Sequence, residues 1–517
     1  MTPIKILWVD DEIELLKPHF LFLNDKGYQT TACNNGQDAL LILEKQNFDV
    51  VLLDENMPGL GGLETLNEIK LRSPNLPVIM ITKNEEEHIM EEAIGAKISD
   101  YLIKPVNPNQ ILSALKKLLQ HKNLIAEKTI VNYQQAFQRI SLSINELETH
   151  QDWADFYTKM IYWEIELEGL EDLAMLEIFQ NQMKEANRLF SKFIQNNYEQ
   201  WIKGDNGPLM SHQILKEKLF PILKKESNKP TLMLVIDNLR FDQWKMIAPI
   251  IENHYQKEEE LSYYSILPTA THYARNAIFS GLMPLEMQKQ HPELWVNENE
   301  EGGKNLNEVA FLESQLNRNG IKSQISYSKI TNLKSGKELS QSLQNHQNND
   351  LIVVVYNFVD MISHAKTEME IIKELAADNK AFRSLTLSWF KNSPLLEIIQ
   401  QAKKLGFGLI VTTDHGTINV DQAIEIKGDR EVSMNLRYKT GQNLSHNNKS
   451  VMEVSDPKKI QLPANHINSK FIFAKEHQYF VYQNNFNHYA NHFRNTFQHG
   501  GISMEEMIIP FVVMRPR

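Results

Sequence analysis

Cysteine is almost missing: Cys33 stands alone in 517 residues, which excludes an internal disulfide framework and any cysteine-based zinc knuckle and fits a reducing cytoplasm. No apolar run reaches the roughly 18 residues that a membrane-crossing helix requires. Met1 to Asp10 also lacks the basic flank, apolar core and small-residue cleavage site of a secretory leader, so a cytoplasmic chain without a membrane span is expected. Positive charge is short too, and a net charge of −11 argues against broad electrostatic binding to duplex nucleic acid, a local basic groove aside. From Lys122 to Lys203 there is no proline and only Gly169 as glycine, which leaves long helices uninterrupted. What is present is globular: 42% hydrophobic and 23% charged residues exclude extended disorder. The length suggests about three domains, and seventeen histidines leave room for imidazole metal ligands.

The first segment, residues 1–121, alternates strands and helices. Ile4 to Val9 is an apolar strand that stops at Asp10-Asp11-Glu12, and Val50 to Leu53 is a second that stops at Asp54. Helical spacing at Leu15, Leu16, His19, Phe20 and Leu23 separates them, followed by a strand from Tyr28 to Ala32. The order continues through a helix at Gly62-Leu63, the strand Val78 to Ile81 ending at Thr82, a helix around Glu86 to Ile94, the strand Tyr101 to Ile103, and Lys104-Pro105. Such alternation implies a doubly wound parallel sheet. Three carboxylates at adjacent strand tips repel one another unless a hard cation lies between them, and oxygen-only ligation points to Mg²⁺. With one carboxylate phosphorylated, Lys104 would pair with the added group and Thr82 would hydrogen-bond to it, which is a two-state switch.

Residues 122–225 read as amphipathic helices, with Trp153, Phe156, Tyr157 and Met160 on one face and Leu173, Leu176, Phe179 and Met183 on another. A helical bundle linker is expected, its aromatic stripe serving core packing before a partner interface. Breaks fall near His150 and Gly169, and Ser211 to Leu223 forms a further helix. No helix-turn-helix with a basic recognition helix follows the first segment, which disfavours a direct transcription factor.

In residues 226–517 the strand-tip pattern returns. Thr231 to Ile236 ends at Asp237, Leu351 to Tyr356 leads to Asp360 and His364, and Leu409 to Thr413 ends at Asp414-His415. His499 lies near the C-terminus, ahead of the apolar run Ile508 to Val513. Open α/β sheets carry their sites just beyond the carboxyl ends of such strands. Asp360 and His364, at i and i+4, converge on one ion if their segment is helical. Six ligands then divide into two triads. Mixed carboxylate and imidazole ligation suits Zn²⁺, with Mn²⁺ second, and two such ions about 4 Å apart stabilise both apical oxygens of a phosphoryl transfer. Thr271 opens an apolar helix that ends at Gly281, where free backbone N–H groups favour a phosphate anion and a metal would lower the hydroxyl pKa. A plain N-cap is the alternative role for Thr271.

Two resemblances follow from these residues. Residues 1–121 resemble the CheY-like receiver of two-component response regulators, on Asp54-x-x-Met57-Pro58-Gly59 with Lys104-Pro105. The resemblance implies Mg²⁺ ligation by Asp10, Asp11, Asp54 and the Asn56 carbonyl, phosphorylation of Asp54 by a sensor histidine kinase, Thr82, Tyr101 and Lys104 as switch residues, and a phosphorylation-promoted homodimer. Lys83 departs from the small residue usual after the threonine. From about residue 229 to 517 the chain resembles the alkaline phosphatase superfamily, most closely its PglZ branch fused to a receiver as in PorX-type regulators. That rests on Val235-Ile236-Asp237-Asn238-Leu239-Arg240-x-Asp242-x-Trp244, on His499-Gly500-Gly501-x-Ser503 and on the order of the pieces. It implies one zinc site from Asp237, Thr271, Asp414 and His415, with Thr271 as nucleophile, and another from Asp360, His364 and His499.

A threonine nucleophile disfavours the sulfatases of similar fold and points to phosphodiesterases acting on nucleotides or oligonucleotides. Arg275, one turn after Thr271, is expected either to contact a non-bridging phosphate oxygen or to form a surface salt bridge. The insertion between His415 and His499, with Asp429-Arg430 and Asn435-Leu436-Arg437-Tyr438-Lys439, is expected either to cap the site and hold an oligonucleotide or to be solvated strand surface. The expected whole is a phosphorylation-controlled two-metal phosphodiesterase linked to type IX secretion. The rival is a non-enzymatic regulator whose third domain binds secretion machinery or a sigma factor.

Overall fold

The computed structural model describes residues 4–517 apart from 74–75, 84–97, 171, 205, 226–229, 299, 301, 429–434, 447–450, 465 and 467. The helix expected around Glu86 to Ile94, and Asp429-Arg430, lie outside the described residues. The chain folds as two compact units, Met1–Asn132 and Tyr133–Arg517.

In the first unit, β1 (Ile4–Val9), β2 (Tyr28–Cys33), β3 (Val50–Asp54), β4 (Val78–Thr82) and β5 (Asp100–Ile103) form a parallel sheet in the order β2-β1-β3-β4-β5. β1, β3 and β4 have no polar–apolar alternation because both faces of the sheet are covered: Leu7, Leu53 and Met80 pack on one side, Trp8, Leu52 and Ile81 on the other. β1 and β3 are neighbours, so their tips bring Asp10, Asp11 and Asp54 together.

The second unit holds a six-stranded sheet. Its strands are β6 (Thr231–Ile236), β7 (Tyr255–Tyr264), β8 (Ile325–Ile330), β9 (Leu351–Tyr356), β10 (Gly408–Thr412) and a closing strand, Ile508–Pro516, in the order β7-closing-β10-β6-β9-β8. β10, β6, β9 and β8 run parallel, and the closing strand is antiparallel to β10 and β7. β6 and β9 are buried at every position, and adjacent parallel strands release their chains at the same sheet edge. Asp237, Asp360 and Asp414 therefore follow from one edge.

The linker helices are continuous in space with this sheet. The helix Pro108–Ser143 begins in the first unit and ends in the second, and His150–Glu168 and Leu173–Ile202 follow. Trp153, Tyr157, Phe190 and Tyr198 belong to the same buried core as Leu232, Val353 and Ile410. Polar contacts fix the join: Tyr264 OH donates to His150 O at 2.7 Å, and Leu267 N donates to Tyr198 Oη at 2.7 Å. The division at 121 and 225 is one of sequence; in space the linker helices from Tyr133 onward and the six-stranded sheet form one compact unit with a common main core. The aromatic stripe is core. Among the described residues, no helix is long and apolar enough to cross a membrane.

Candidate metal centre

The helix Thr271–Ser280 starts immediately after Ala270, which is its N-cap and makes no side-chain cap bond. Thr271 is therefore the first helical residue, not the cap. Its hydroxyl points at the strand tips instead: Oγ1 lies 3.4 Å from Asp237 Oδ1 and 3.1 Å from His415 Nε2. Asp237, Asp414 and His415 are fully buried and present one ligand atom each within 4.8 Å of one another; Asp360, His364 and His499 converge within the same distance, Asp360 and His499 half-buried and His364 exposed. Asp360 and His364 sit one turn apart on the helix Phe358–Glu368, with His364 Nε2 3.5 Å and His499 Nε2 3.8 Å from the Asp360 carboxylate.

Histidine orientation suits metal ligation. His415 Nδ1 faces Gly416 O at 3.1 Å and His499 Nδ1 faces Thr269 O at 3.2 Å. A carbonyl only accepts, so each Nδ1 carries the proton and each Nε2 turns a lone pair into the site. Burial holds both imidazoles down at about 4 and so keeps them neutral. The carboxylates show the opposite strain. Burial, with Asp237 nearby, pushes Asp414 up to about 8, and burial with the same neighbour pushes Asp360 up to about 6. Burial also opposes charge on Asp237, but the Arg275 guanidinium beside it outweighs burial and holds that carboxyl below the usual range. A cation among these oxygens would relieve the repulsion.

Arg275 departs from both of its expected roles. It is 1% exposed, with Nη1 2.7 Å from Asp237 Oδ2 and Nε 2.6 Å from Glu308 Oε1. Those carboxylates occupy the guanidinium below the site, so Arg275 is neither a surface ion pair nor a phosphate contact; it positions Asp237. The insertion is corrected in the same way. Arg437 is buried against Glu506 at 2.5 Å, and Lys439 is buried with its ammonium 4.9 Å from the Tyr482 ring centre. Neither is presented to a nucleic-acid backbone, and neither lies on a solvated surface. Asn435, Leu436 and Tyr438 of the insertion do line the cavity over Thr271.

Three supporting residues carry no sequence expectation. Asn238 has a left-handed backbone, φ 62°; its N–H donates to Asp414 Oδ1 at 3.3 Å and its Nδ2 to Asp360 Oδ1 at 3.2 Å, one bond into each triad. Asparagine tolerates that backbone better than most residues, and apart from its place in the signature after Asp237 its position carried no other signal. Thr269 accepts from Gly500 N and donates to Gly501 O, bracing the loop that bears His499. Glu308 anchors Arg275 from another helix, with Tyr327 donating to its second oxygen.

In the first unit, Asp10, Asp11 and Asp54 form a third carboxylate group. Lys104 Nζ lies 2.9 Å from both Asp10 and Asp54, and Asp54 is pushed up by burial although Lys104 opposes the shift. Thr82 donates to Glu55. Asn56 is exposed beside the group and Tyr101 is 37% exposed at the sheet edge. Lys83 leans toward Glu12, 3.8 Å away, over the carboxylate cluster's loop.

Comparison with known proteins assigns the parts. The family described as BREX system PglZ alkaline phosphatase-like domain matches residues 214–514, the PorX response regulator linker domain matches 123–202, and the response regulator receiver domain matches 6–116. Among curated proteins, the transcriptional regulatory protein ZraR of Escherichia coli K12 is 36% identical over 126 residues, covering 24% of this chain and 29% of its own length. The alginate biosynthesis transcriptional regulatory protein AlgB of Pseudomonas putida is 33% identical over 122 residues, covering 24% of this chain and 27% of its own. This chain thus spans under a third of either relative. Among solved structures, chemotaxis protein CheY4 of Vibrio cholerae is 30% identical, covering 22% of this chain and 98% of that one, with a TM-score of 0.22.

Proposed function

The chain belongs to the PglZ alkaline phosphatase-like family, and we propose from that premise that it is a two-metal phosphodiesterase under receiver control. Receiver, PorX linker and PglZ domain together make it a response regulator of PorX-type architecture, and a receiver implies a sensor kinase as its partner. The observation that carries the enzymatic reading is the convergence of Thr271 Oγ1 on the buried triad Asp237, Asp414 and His415, beside a second triad whose His364 is exposed, with the Nε2 lone pairs of His415 and His499 turned inward.

Asp237, Asp414, His415 and Thr271 would hold one Zn²⁺, and Asp360, His364 and His499 the other. Bound there, the ions supply the positive charge that stabilises the attacking and leaving oxygens of phosphoryl transfer. Thr271 Oγ attacks phosphorus, the P–O bond to the leaving alcohol breaks, and water later cleaves the phosphothreonine. The helix N-terminus at Thr271 aims backbone N–H groups at the phosphate, and Asn238 and Arg275 keep the aspartates in place. Nucleotide or oligonucleotide phosphodiesters are the proposed substrates, since a cavity of about 550 Å³ above Thr271 accommodates an organic moiety on each side of phosphorus. In the first unit, Mg²⁺ would sit among Asp10, Asp11, Asp54 and Asn56. Phosphorylation of Asp54, drawn to Lys104, would promote homodimerisation and so control the second unit. A link to type IX secretion, through a secretion component or sigma factor, belongs to the same proposal.

A chromogenic bis-aryl phosphodiester tests the enzyme. Zinc-loaded protein is expected to turn it over, chelator to stop it, and Thr271→Val to remove it. No chelator-sensitive turnover, or turnover that Thr271→Val leaves intact, rejects hydrolysis and favours a binding platform.

A further inference from the structure

The cavity above Thr271 has a wall that phosphoryl transfer does not use, and Glu298 stands in it. Two tyrosine hydroxyls from distant parts of the chain donate to its carboxylate, and an imidazole lies against it. Tyr273 OH donates to Oε2 at 3.0 Å, His272 Nδ1 lies 3.3 Å from the same oxygen, and Tyr438 OH donates to Oε1 at 3.0 Å. His272 is itself held, with Nε2 2.7 Å from Val296 O and its ring stacked on Trp295 at 4.6 Å. Burial would raise the Glu298 pKa, but the neighbouring His272 imidazole and, after it, the hydroxyls of Tyr273 and Tyr438 outweigh burial and hold the carboxyl below its usual range.

An ionised carboxylate has roughly four acceptor positions and no donor. Among the described residues Tyr273 and His272 face Oε2 and Tyr438 alone faces Oε1, which leaves an acceptor position on Oε1. A fixed negative charge beside a site for an anionic phosphodiester does nothing for the phosphate itself, and it repels a second anionic group. It has one use on the substrate side, to take a hydrogen bond from a neutral donor, and charged acceptors make the stronger hydrogen bonds.

We propose that Glu298 is a specificity-determining residue: it accepts a hydrogen bond from a hydroxyl or amide-type N–H on the organic moiety of the phosphodiester. This rests on the hydrolase reading of the same cavity. A nucleoside moiety, with sugar hydroxyls and base N–H groups, fits the requirement, and a simple alkyl ester does not. Tyr438 makes the insertion part of the device, since its hydroxyl reaches Glu298 from the segment between His415 and His499.

The test compares thymidine 5′-(p-nitrophenyl phosphate) with methyl p-nitrophenyl phosphate on the zinc-loaded full chain. In parallel, calorimetry compares the affinities of thymidine 5′-monophosphate and methyl phosphate. Wild type is expected to favour the thymidine compound at least about tenfold in kcat/KM and in affinity, and Glu298→Gln and Glu298→Ala to lose at least about tenfold of both ratios. Wild type without preference overturns the proposal with no variant needed, as do ratios unchanged in well-folded variants. If no ester turns over yet the affinity ratio behaves as expected, hydrolysis fails alone and Glu298 keeps its role.

Discussion

The imidazole rings of His415 and His499 lie face to face, their centroids 4.3 Å apart and their planes 21° from parallel. Each belongs to a different triad, so the stack is the point at which the two candidate metal sites share a wall. Asn238 makes a second link, bonded to Asp414 on one side and Asp360 on the other. The two sites are therefore built as one object, and a change to the shared parts should be felt in both.

Asn238→Ala removes the bond to Asp360 and places alanine at φ 62°. Loss of a group that orients ligands commonly costs about 10–100-fold in metal affinity. Weaker binding at both sites is expected, seen as lower zinc content after dialysis against a competing chelator. A variant that retains full zinc at wild-type affinity would show that Asn238 orients nothing.

Arg275→Met leaves Glu308 buried without its guanidinium while Tyr327 and Lys329 remain nearby. Breaking a buried ion pair from one side costs about 3–5 kcal/mol. Urea melts should show a loss of that order in the second unit. Arg275→Lys is expected to recover only part of it, because lysine cannot bridge Asp237 and Glu308 in the guanidinium's planar geometry.

These two residues also mark the limit of what the sequence discloses. Asp237, Asp360 and Asp414 were legible because each follows an apolar run that is buried on both faces, and a parallel strand points its tip at the site whatever surrounds it. The receiver sheet was legible for the same reason. Arg275 was misplaced because its partner Glu308 comes from a separate helix, and no periodicity in either segment announces the pair. The insertion's Arg437 and Lys439 looked available because a basic, aromatic stretch is usually solvated; Glu506 and the ring of Tyr482 bury them instead. The linker was recognised as helical from its spacing, but that its aromatic face completes the core of the second unit depends on Tyr264 and the β6 sheet, which spacing does not reveal.

His212 gives a pH dependence away from the candidate metal ligands. Burial lowers it to about 4, and its Nδ1 has no hydrogen-bond partner among the described residues. An unfolded histidine titrates near about 6.5, so between these values the unfolded chain binds the extra proton. Stability is full above about pH 6.5 and falls as the pH drops toward 4, by up to about 3 kcal/mol from this group. His212→Gln should flatten that part of the profile in parallel melts; an identical slope would assign the pH dependence to other groups.

Asp54→Ala should abolish labelling of the receiver by a small-molecule phosphodonor, together with any dimerisation that labelling brings. Lys104→Ala should leave labelling possible but uncouple it from dimerisation, because the ammonium that sits 2.9 Å from Asp54 is the group able to follow an added phosphoryl charge. Phosphate incorporation and sedimentation velocity check the pair. Persistent labelling of Asp54→Ala would move the phosphoacceptor elsewhere.

Gly500 joins the candidate metal ligand His499 to the insertion. Its φ of 117° belongs to glycine, and a Cβ there would stand 2.6 Å from the Tyr438 ring and 2.8 Å from Asn435 Oδ1. Both are parts of the cavity wall, and Tyr438 also holds Glu298. Gly500→Ala must therefore either push the insertion off the site or twist the segment that carries His499, at a cost of about 1–3 kcal/mol for the strained backbone alone. The first outcome lowers the thymidine-to-methyl preference with zinc content intact, and the second lowers zinc content. Both measurements on one preparation separate them, and a variant normal in both would mean that the insertion seats independently of the His499 loop.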